Sequence, residues 1–443
     1  MKIKSLSLLL CLILFLCAFV SCSNDKQPQS ETPAADETPD IDSDKIIDFE
    51  IVPEPSGNEA VMLPAQELRI VSMNLSTELR EMDKRGPMMV ELLNSYQPDS
   101  IGTQENSGYS EWVEVLNEGL PNYKHVGICG DGQEDSRTIN SNYIYYNADK
   151  YECLDWYTFW PSETTTIIAS CYAPTYPRTC TWAILQDKET GFKYVHINCH
   201  LAFEIEEENI FQISIIRDLM VAFSQLGMPV FTTGDFNTGE GSFSYELITA
   251  VPEIDDPKHL AARTMSASSF RGWEDRDISG GRPIDFCFVT GDKMTVHQYE
   301  VIDTFISGVA VTDHCGIFTH VTVNSLNDQF ENKVPLSTDG ITLTELSCTP
   351  YHYDFSFTQV DDISYIHEYH VELTDSDGNL VDERNIPSKH LDVSVDASKR
   401  CTFTSLEPGS DYTVKLYAES LIGTRSDPIV FSFTTPELSK AGY

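Results

Sequence analysis

The sequence predicts a layered α/β sandwich followed by a small all-β sandwich. The chain has 443 residues, more than one ordinary core needs, which favours two globular domains. Strands dominate its middle part and only a few helices accompany them, whereas the C-terminal part shows short alternating strands without a helix. A (β/α)8 barrel is excluded because it requires a helix after each strand.

The N-terminus has the pattern of an export signal. Lys2 and Lys4 precede the apolar run 8–20, which is short for a membrane span. Cys22 follows a small residue and precedes a polar run, so this stretch resembles the lipobox of bacterial lipoproteins. We expect residues 1–22 to be a lipoprotein signal peptide and Cys22 to carry the lipid, which would anchor the protein in the bacterial cell envelope. The alternative is a plain signal peptide that is cut nearby.

Composition divides the rest of the chain. Residues 23–65 are rich in Pro, Asp, Glu and Ser and predict an acidic, disordered tether. A second polar stretch predicts a linker at 326–340, between domains at 66–325 and 341–436. Apolar residues at helical spacing predict helices over 83–96 and 207–227. The net charge of −40 argues against a surface that binds long polyanions.

The C-terminal strands carry a specific signature. In LEPGSDYTV (406–414), Tyr412 follows a Pro-Gly turn at the start of a strand, as in a tyrosine corner, and the segment resembles a fibronectin type III module. That topology would leave Cys348 and Cys401 unbridged. Cys171 and Cys180 are the pair to test for a disulfide, with scattered thiols as the alternative. No Cys pair has CxxC spacing, which argues against a zinc site.

Six apolar segments of the middle region begin or end in acid, amide or imidazole side chains. Any one of them alone would be a turn or cap residue. Together they are costly unless a hard divalent cation offsets the crowded carboxylates, so the sequence predicts a site for such a cation. The residues are Asn74, Glu105, His200, Asp235 with Asn237, Asp285, and Asp313 with His314.

In this order the segments SMN, GTQE, NCH, GDFN, PIDF and DH are similar to those of the endonuclease/exonuclease/phosphatase family, which has the deoxyribonuclease-I-like fold. The resemblance runs from Glu67 to Val323. It implies a four-layered α/β/β/α sandwich, and a metal-dependent phosphoesterase that cleaves a phosphodiester or phosphomonoester by in-line attack of an activated water.

The resemblance also implies roles for the metal site and its neighbours. Glu105 would be the main Mg²⁺ ligand, with Asn74 and Asp313 close to it. His314, paired with Asp285, would act on the attacking water or bind the phosphate.

The remaining roles concern the reacting groups. Asp235 and Asn237 would orient the nucleophile and the scissile phosphate, and His200 would stabilise developing charge or protonate the leaving group. Arg178 and Trp182 are weaker candidates for substrate binding, with simple packing as the alternative.

The neighbourhood of His200 departs from the family pattern. Where bacterial members often read NTHLDH, this chain reads NCHLAF (198–203), and Asn140 stands near the place of a carboxylate partner for this His. Without that partner His200 would be a weaker acid–base group. His196 has the character of a structural histidine.

Substrate and partners follow from the resemblance only as classes. The substrate would be nucleic acid, a phospholipid head group, or a sugar or inositol phosphate, and the membrane would be reached through the lipid anchor only. We expect a monomer. The alternative function is a non-catalytic surface binding or adhesion lipoprotein that uses the fibronectin-like module.

Overall fold

The computed structural model describes most of both predicted domains. The ranges are 50–51, 64–78, 80–106, 111–132, 141–162, 177–225, 227–291, 294–324, 336–359, 366–388, 398–419 and 425–438. Cys22, Asn140, Cys171 and most of the predicted tether and linker lie outside these ranges, so the predictions for them remain predictions.

Helices are few in the described residues, and strands make up most of the chain. The helices are α1 (Met82–Tyr96), α2 (Trp112–Gly119), α3 (Glu206–Gln225), α4 (Phe243–Thr249) and α5 (Pro257–Leu260). The strands are β1 (Glu50–Ile51), β2 (Gln66–Asn74), β3 (Ser100–Gln104), β4 (Tyr123–Val126), β5 (Tyr143–Asn147), β6 (Tyr151–Phe159), β7 (Cys180–Asp187), β8 (Lys193–His200), β9 (Val230–Asp235), β10 (Arg263–Met265), β11 (Asp285–Val289), β12 (Met294–Ile302), β13 (Phe305–Ile306), β14 (Val309–Ala310), β15 (Gly316–Val323), β16 (Leu343–Thr349), β17 (His352–Thr358), β18 (Glu368–Asp375), β19 (Leu380–Pro387), β20 (Ser398–Thr404), β21 (Asp411–Glu419) and β22 (Ile429–Thr434).

Two sheets form the centre of the first domain. One has seven strands in the order β10-β12-β15-β2-β3-β5-β4, and the other has five in the order β11-β9-β8-β7-β6. The two predicted helices are present as α1 and α3, with ends within two residues of those expected. Sequence reasoning did not find the shorter helices α2, α4 and α5.

Alternation along the strands explains the layers. On β2, Leu68 and Ile70 face the other sheet, whereas Val71 and Met73 face α1 and α2. On β8 the odd-numbered residues from Val195 onward pack against α3. A core therefore lies between the two sheets and a further core lies under each helical layer. This is the predicted four-layered α/β/β/α sandwich, and the fold prediction is confirmed.

Register brings the polar strand ends to one edge of the sandwich. β2 and β3 are parallel and place Asn74 beside Gln104, while β8 and β9 are parallel and place His200 beside Asp235. β11 runs antiparallel to β9, so its first residue, Asp285, lies opposite Asp235. Because these positions follow the inward-facing period of their strands, their side chains enter the same inter-sheet space.

A column of hydrogen bonds crosses between the sheets behind that edge. His196 bridges the two sheets, with Nδ1 2.8 Å from Ser100 Oγ and Nε2 2.8 Å from Thr233 Oγ1. Thr233 Oγ1 donates to Asn198 Oδ1 (3.0 Å), which also accepts from Gln104 Nε2 (2.6 Å). Buried polar groups that satisfy one another in this way fix the relative position of the two sheets.

The C-terminal module is a two-sheet sandwich, as predicted. Its sheets are β16-β17-β20 and β1-β22-β21-β18-β19, and they enclose one hydrophobic core. The tyrosine corner is present, since Tyr412 Oη accepts a hydrogen bond from the Glu407 amide (2.9 Å). Cys348 and Cys401 are free thiols, and Cys180 forms no disulfide with another described residue.

One part of the predicted tether is ordered. Glu50–Ile51 pairs antiparallel with β22, with Glu50 opposite Val430 and Ile51 opposite Ile429. The expectation of disorder throughout 23–65 is therefore wrong at these two residues. Sequence reasoning missed the pairing because a two-residue strand carries no period. Among the described residues, no helix has the length and apolar character to cross a membrane.

Candidate active site

Asp235 lies at the centre of the cluster. Its Oδ2 accepts a hydrogen bond from Asn74 Nδ2 (3.1 Å) and lies 3.6 Å from His200 Nε2 and 3.7 Å from His314 Nε2. Asn74 Nδ2 also donates to Glu105 Oε1 (3.2 Å). One amide group thus joins the carboxylates from the ends of β9 and β3, as the sequence predicted for converging strand ends.

The central carboxyl group is held at an unusual protonation equilibrium. Burial, and then the negative charge of Asp285, raise the pKa of Asp235 to about 7. Its Oδ1 accepts the Asn237 amide hydrogen bond (3.0 Å), which favours the ionised form. Asp235 is therefore a carboxyl group that can gain or lose a proton near neutral pH, as a general base must.

His314 is the cationic partner of this carboxylate. Its Nδ1 lies 3.0 Å from Asp285 Oδ2, so Asp285 fixes the orientation of the ring. Burial alone would lower the pKa of His314, but Asp285 and then Asp235 raise it to about 10. A pKa of about 10 leaves the imidazole protonated at neutral pH, so His314 can donate an N–H to an anion.

His200 is the neutral histidine of the pair. Burial, with the nearby charges of Arg178 and His314, lowers its pKa well below the ordinary range. Its Nδ1 is buried and has no hydrogen-bond partner among the described residues. Asn140 lies outside the described ranges, so the prediction that it replaces a carboxylate partner of this ring remains a prediction. A neutral imidazole can still donate an N–H to a phosphoryl oxygen.

Two of the site residues adopt left-handed backbone conformations. Glu105 has φ of 55° and Asn237 has φ of 50°. Asn237 is further held by a hydrogen bond from its Nδ2 to the Leu201 carbonyl (2.9 Å), and Glu105 Oε2 accepts from the Thr77 amide (3.0 Å). Such conformations persist only where the surroundings fix them, and they are frequent at functional sites.

Asp313 reaches the cluster less directly than the other ligand candidates. Thr312 Oγ1 donates to the Asn74 carbonyl (2.9 Å) and lies 3.4 Å from Asp313 Oδ1. The Asp313 carbonyl accepts the amides of Arg271 (3.0 Å) and Gly272 (2.9 Å), which fixes the loop. Asp313 therefore lies close to Asn74 through Thr312. Among the described residues, Asp313 makes no direct contact with Glu105.

The donor chemistry fits a divalent cation. Ligand atoms of Asp235, Asp285 and His314 lie within 4.8 Å of one another. We favour the neighbouring oxygens of Glu105 and Asn74, because a protonated imidazole is a poor ligand. A hard cation beside these carboxylates would offset their crowded negative charge.

The two candidates for substrate binding differ in placement. Arg178 is buried beside His200, its Nη2 lies 3.7 Å from Glu204 Oε1, and its Nε has no hydrogen-bond partner in the described part of the chain. Trp182 instead packs in the core under α3, with its ring 5.2 Å from that of Phe223. Arg178 therefore lies at the cluster, whereas Trp182 packs in the core, which was the alternative to substrate binding.

Arg85 is a supporting residue that sequence reasoning missed. Its guanidinium is buried and donates to the carbonyls of Leu75 (3.0 Å), Glu78 (2.6 Å) and Val311 (2.6 Å). These carbonyls belong to the loops that follow Asn74 and precede Asp313. Nothing in the helical pattern of 82–96 distinguishes this Arg from a solvent-facing one.

The fold and the cluster of carboxylates and imidazoles define a deoxyribonuclease-I-like protein. The profile of the Endonuclease/Exonuclease/phosphatase family matches residues 88–314, just over half of the 443 residues. The chain belongs to this family. A Fibronectin type III domain matches residues 341–432.

Similar solved structures share the fold. A family protein from Bacteroides thetaiotaomicron is 22% identical, covers 59% of this chain and 99% of its own, and gives a TM-score of 0.53. A family protein from Bacteroides vulgatus is 26% identical, covers 58% and 100%, and gives 0.52. The mannosyl-6-phosphatase of Bacteroides thetaiotaomicron is 22% identical, covers 57% and 99%, and gives 0.51.

No curated protein sequence matches the chain significantly. Family membership supports a phosphoesterase function, because the family includes phosphatases and nucleases. Enzymes of this family generally depend on a divalent metal, and the acidic and imidazole groups around Asp235 are of the kind that such a metal requires.

Proposed function

We propose that this protein hydrolyses phosphate esters with the help of Mg²⁺ or Mn²⁺, by in-line attack of a water on phosphorus. The observation that carries the proposal is the set of contacts around Asp235. Its carboxylate meets the Asn74 amide and lies within 3.7 Å of both imidazoles. A buried carboxyl group with a pKa near 7 among these donors suits proton transfer and not structural support.

Asp235 takes the proton of the attacking water in this mechanism. Its pKa of about 7 leaves a substantial fraction ionised at neutral pH and gives it enough basicity to accept a proton. Asn237, fixed by its bonds to Asp235 and Leu201, orients the water and the phosphate beside that carboxylate. These two bonds also hold the left-handed backbone conformation of Asn237.

Positive groups hold the phosphate. His314 is protonated through its pairing with Asp285 and offers its Nε2 proton toward the site. Arg178 adds a buried guanidinium whose Nε–H is free for an acceptor, with no partner in the described ranges. His200, held neutral, donates one N–H to an oxygen that gains charge in the transition state.

Glu105 and Asn74 would hold the cation, beside the base Asp235. When bound, a divalent cation polarises a phosphoryl oxygen and offsets charge on the leaving oxygen. The residues themselves fix the site: Asn74 links the two carboxylates, and the Thr77 amide orients Glu105.

The test is hydrolysis of a substrate panel of DNA, sphingomyelin, inositol phosphates and sugar phosphates. Sugar phosphates belong in it because a mannosyl-6-phosphatase shares this fold. We expect turnover with Mg²⁺ or Mn²⁺, none with excess chelator, and a loss of at least about 1000-fold in kcat for Asp235→Asn. Asp149→Asn is the matched control, because it removes one exposed carboxylate that follows the last residue of β5, at the end of that strand away from the cluster.

Two outcomes would contradict the proposal. Equal turnover in chelator would remove the cation from the mechanism. Full activity of Asp235→Asn, with circular dichroism unchanged, would show that another carboxylate does the work. If no ester is hydrolysed under any condition, the adhesion alternative with the fibronectin-like module becomes the better explanation.

We propose further that the enzyme is tethered to the cell envelope through Cys22. The support is the sequence alone: a basic start, the apolar run 8–20, and a small residue before this Cys. Metabolic labelling with palmitate should mark the wild type and not Cys22→Ser. Equal labelling of both would overturn the proposal.

A further inference from the structure

Two exposed phenyl rings flank the cluster, and the mechanism uses neither. The exposed fraction of Phe203 is 65% and that of Phe270 is 41%. Exposed aromatic rings cost solvation free energy, and when they adjoin a reactive site they are commonly contact surfaces for a ligand. The question is what these rings contact when a phosphate ester occupies the site.

Each ring is one contact away from a group that handles the phosphate. The Phe203 ring centroid is 5.6 Å from the guanidinium carbon of Arg178, the cation whose charge lowers the pKa of the buried His200 after burial itself. The Phe270 ring centroid is 5.0 Å from the His314 ring in an edge-on arrangement. The rings therefore adjoin the two sides of the cluster that is centred on Asp235.

Their distance from the chemistry fixes which part of a substrate they can touch. Both histidines point their Nε2 atoms at Asp235, within 3.7 Å of its Oδ2, so the phosphorus must lie near that point. The phenyl rings contact the His314 ring and the Arg178 guanidinium, so an alcohol group that extends from the phosphate past either side chain would meet a phenyl ring.

A charged side chain lies against each ring. The Arg178 guanidinium lies over the Phe203 ring and the Arg276 guanidinium over the Phe270 ring, each 5.6 Å from the ring centroid. An exposed apolar ring beside a charged hydrogen-bond donor matches a pyranose, which has one face of C–H groups and hydroxyls around its edge. The net charge of −40 disfavours a long polyanion in the same place.

We propose that Phe203 and Phe270 are specificity-determining residues that contact the ring of a sugar phosphate monoester. The proposal rests on the proposed hydrolysis of phosphate esters and adds its substrate class. Phe203 gives the open face, and Phe270 bounds the sugar on the His314 side. In this chain Phe203 ends the NCHLAF segment, the part of the sequence that departs from the family pattern.

The test compares a ring substrate with an acyclic one. Glucose-6-phosphate, glycerol-3-phosphate and AMP are assayed with the wild type, Phe203→Ala, Phe203→Leu and Phe270→Leu. Because contact with a non-reacting part of the substrate is uniform binding, the Phe203 variants should raise KM for glucose-6-phosphate about 10-fold and leave kcat within about 2-fold. KM for glycerol-3-phosphate should stay within about 2-fold in the same variants.

A control and the contrary outcomes complete the test. Tyr157→Ala removes another exposed aromatic ring, from the edge strand β6, and should leave all three substrates unchanged. Equal changes for the ring and acyclic substrates would overturn the role of the phenyl rings. A preference for AMP that the Phe203 variants abolish would indicate contact with a nucleobase and would overturn the proposal of a pyranose. Each of these leaves hydrolysis intact, whereas absence of all turnover would instead refute the proposed function.

Discussion

Replacing His196 by Gln should change how the stability of the catalytic domain depends on pH. His196 is fully buried between the two sheets, where it bridges Ser100 and Thr233. Burial lowers the pKa of His196 from 6.5 to about 3. Between these values the unfolded chain binds a proton that the folded protein does not, so acid favours unfolding and stability rises with pH across this window.

The magnitude follows from the two pKa values. Between pH 7 and pH 5 the titration of His196 should lower the free energy of unfolding by about 2 kcal/mol. The Gln variant lacks this titration but loses part of the bridge, which costs about 1 kcal/mol at either pH. The variant should therefore be the less stable protein at pH 7, and the difference should shrink and reverse toward pH 5.

Tryptophan fluorescence during urea unfolding is the assay. All five Trp residues of the chain lie in the catalytic domain, so this signal excludes the C-terminal module: Trp112, Trp156, Trp160, Trp182 and Trp273. His297→Gln is the control, because it removes an exposed imidazole from β12 without touching the interior. A difference between wild type and His196→Gln that is the same at pH 7 and pH 5 would refute the reasoning.

Three further predictions concern other parts of the molecule. Asp285→Asn removes the main cause of the raised pKa of His314, so the decline of kcat/KM at alkaline pH should begin at a lower pH than in the wild type. An unchanged alkaline limb of the pH profile would contradict this. Arg85→Met leaves four carbonyls, those of Leu75, Glu78, Arg80 and Val311, without their donor. It should lower kcat by roughly 10-fold or more while the fold persists by circular dichroism. Tyr412→Phe removes the bond from the Glu407 amide and should cost the C-terminal module about 1 kcal/mol in calorimetry, with Trp fluorescence unfolding unaltered.

The site could be predicted from the sequence because its chemistry limits the residue types. Carboxylates, amides and imidazoles at the ends of apolar strands are costly, and Asn74, Glu105 and Asp235 meet as that cost requires. The layers follow from alternation within each strand. Local sequence patterns thus predict the strands and the polar residues at their ends.

Residues whose role depends on register could not be assigned in this way. Trp182 faces α3 because β7 pairs with β8 so that Trp182 lies opposite Ile197, a neighbour that no local pattern reveals. Arg85 donates a hydrogen bond to the carbonyl of Val311, which is distant in the sequence, and a helical pattern does not reveal such an acceptor. The protonation states of the two site histidines likewise depend on neighbours, since Asp285 raises the pKa of His314.

The pairing of Glu50–Ile51 with β22 has a consequence for how the chain is handled in experiments. The first strand of the chain belongs to a sheet of the C-terminal module, the catalytic domain follows it, and the rest of the C-terminal module comes last. Two covalent connections therefore join the modules, one on each side of residues 66–323. A recombinant fragment that starts at Gln66 would leave the backbone of β22 without this partner and present a free sheet edge to other molecules. Self-association of such a fragment would then report a trimmed edge strand and not the behaviour of the intact chain.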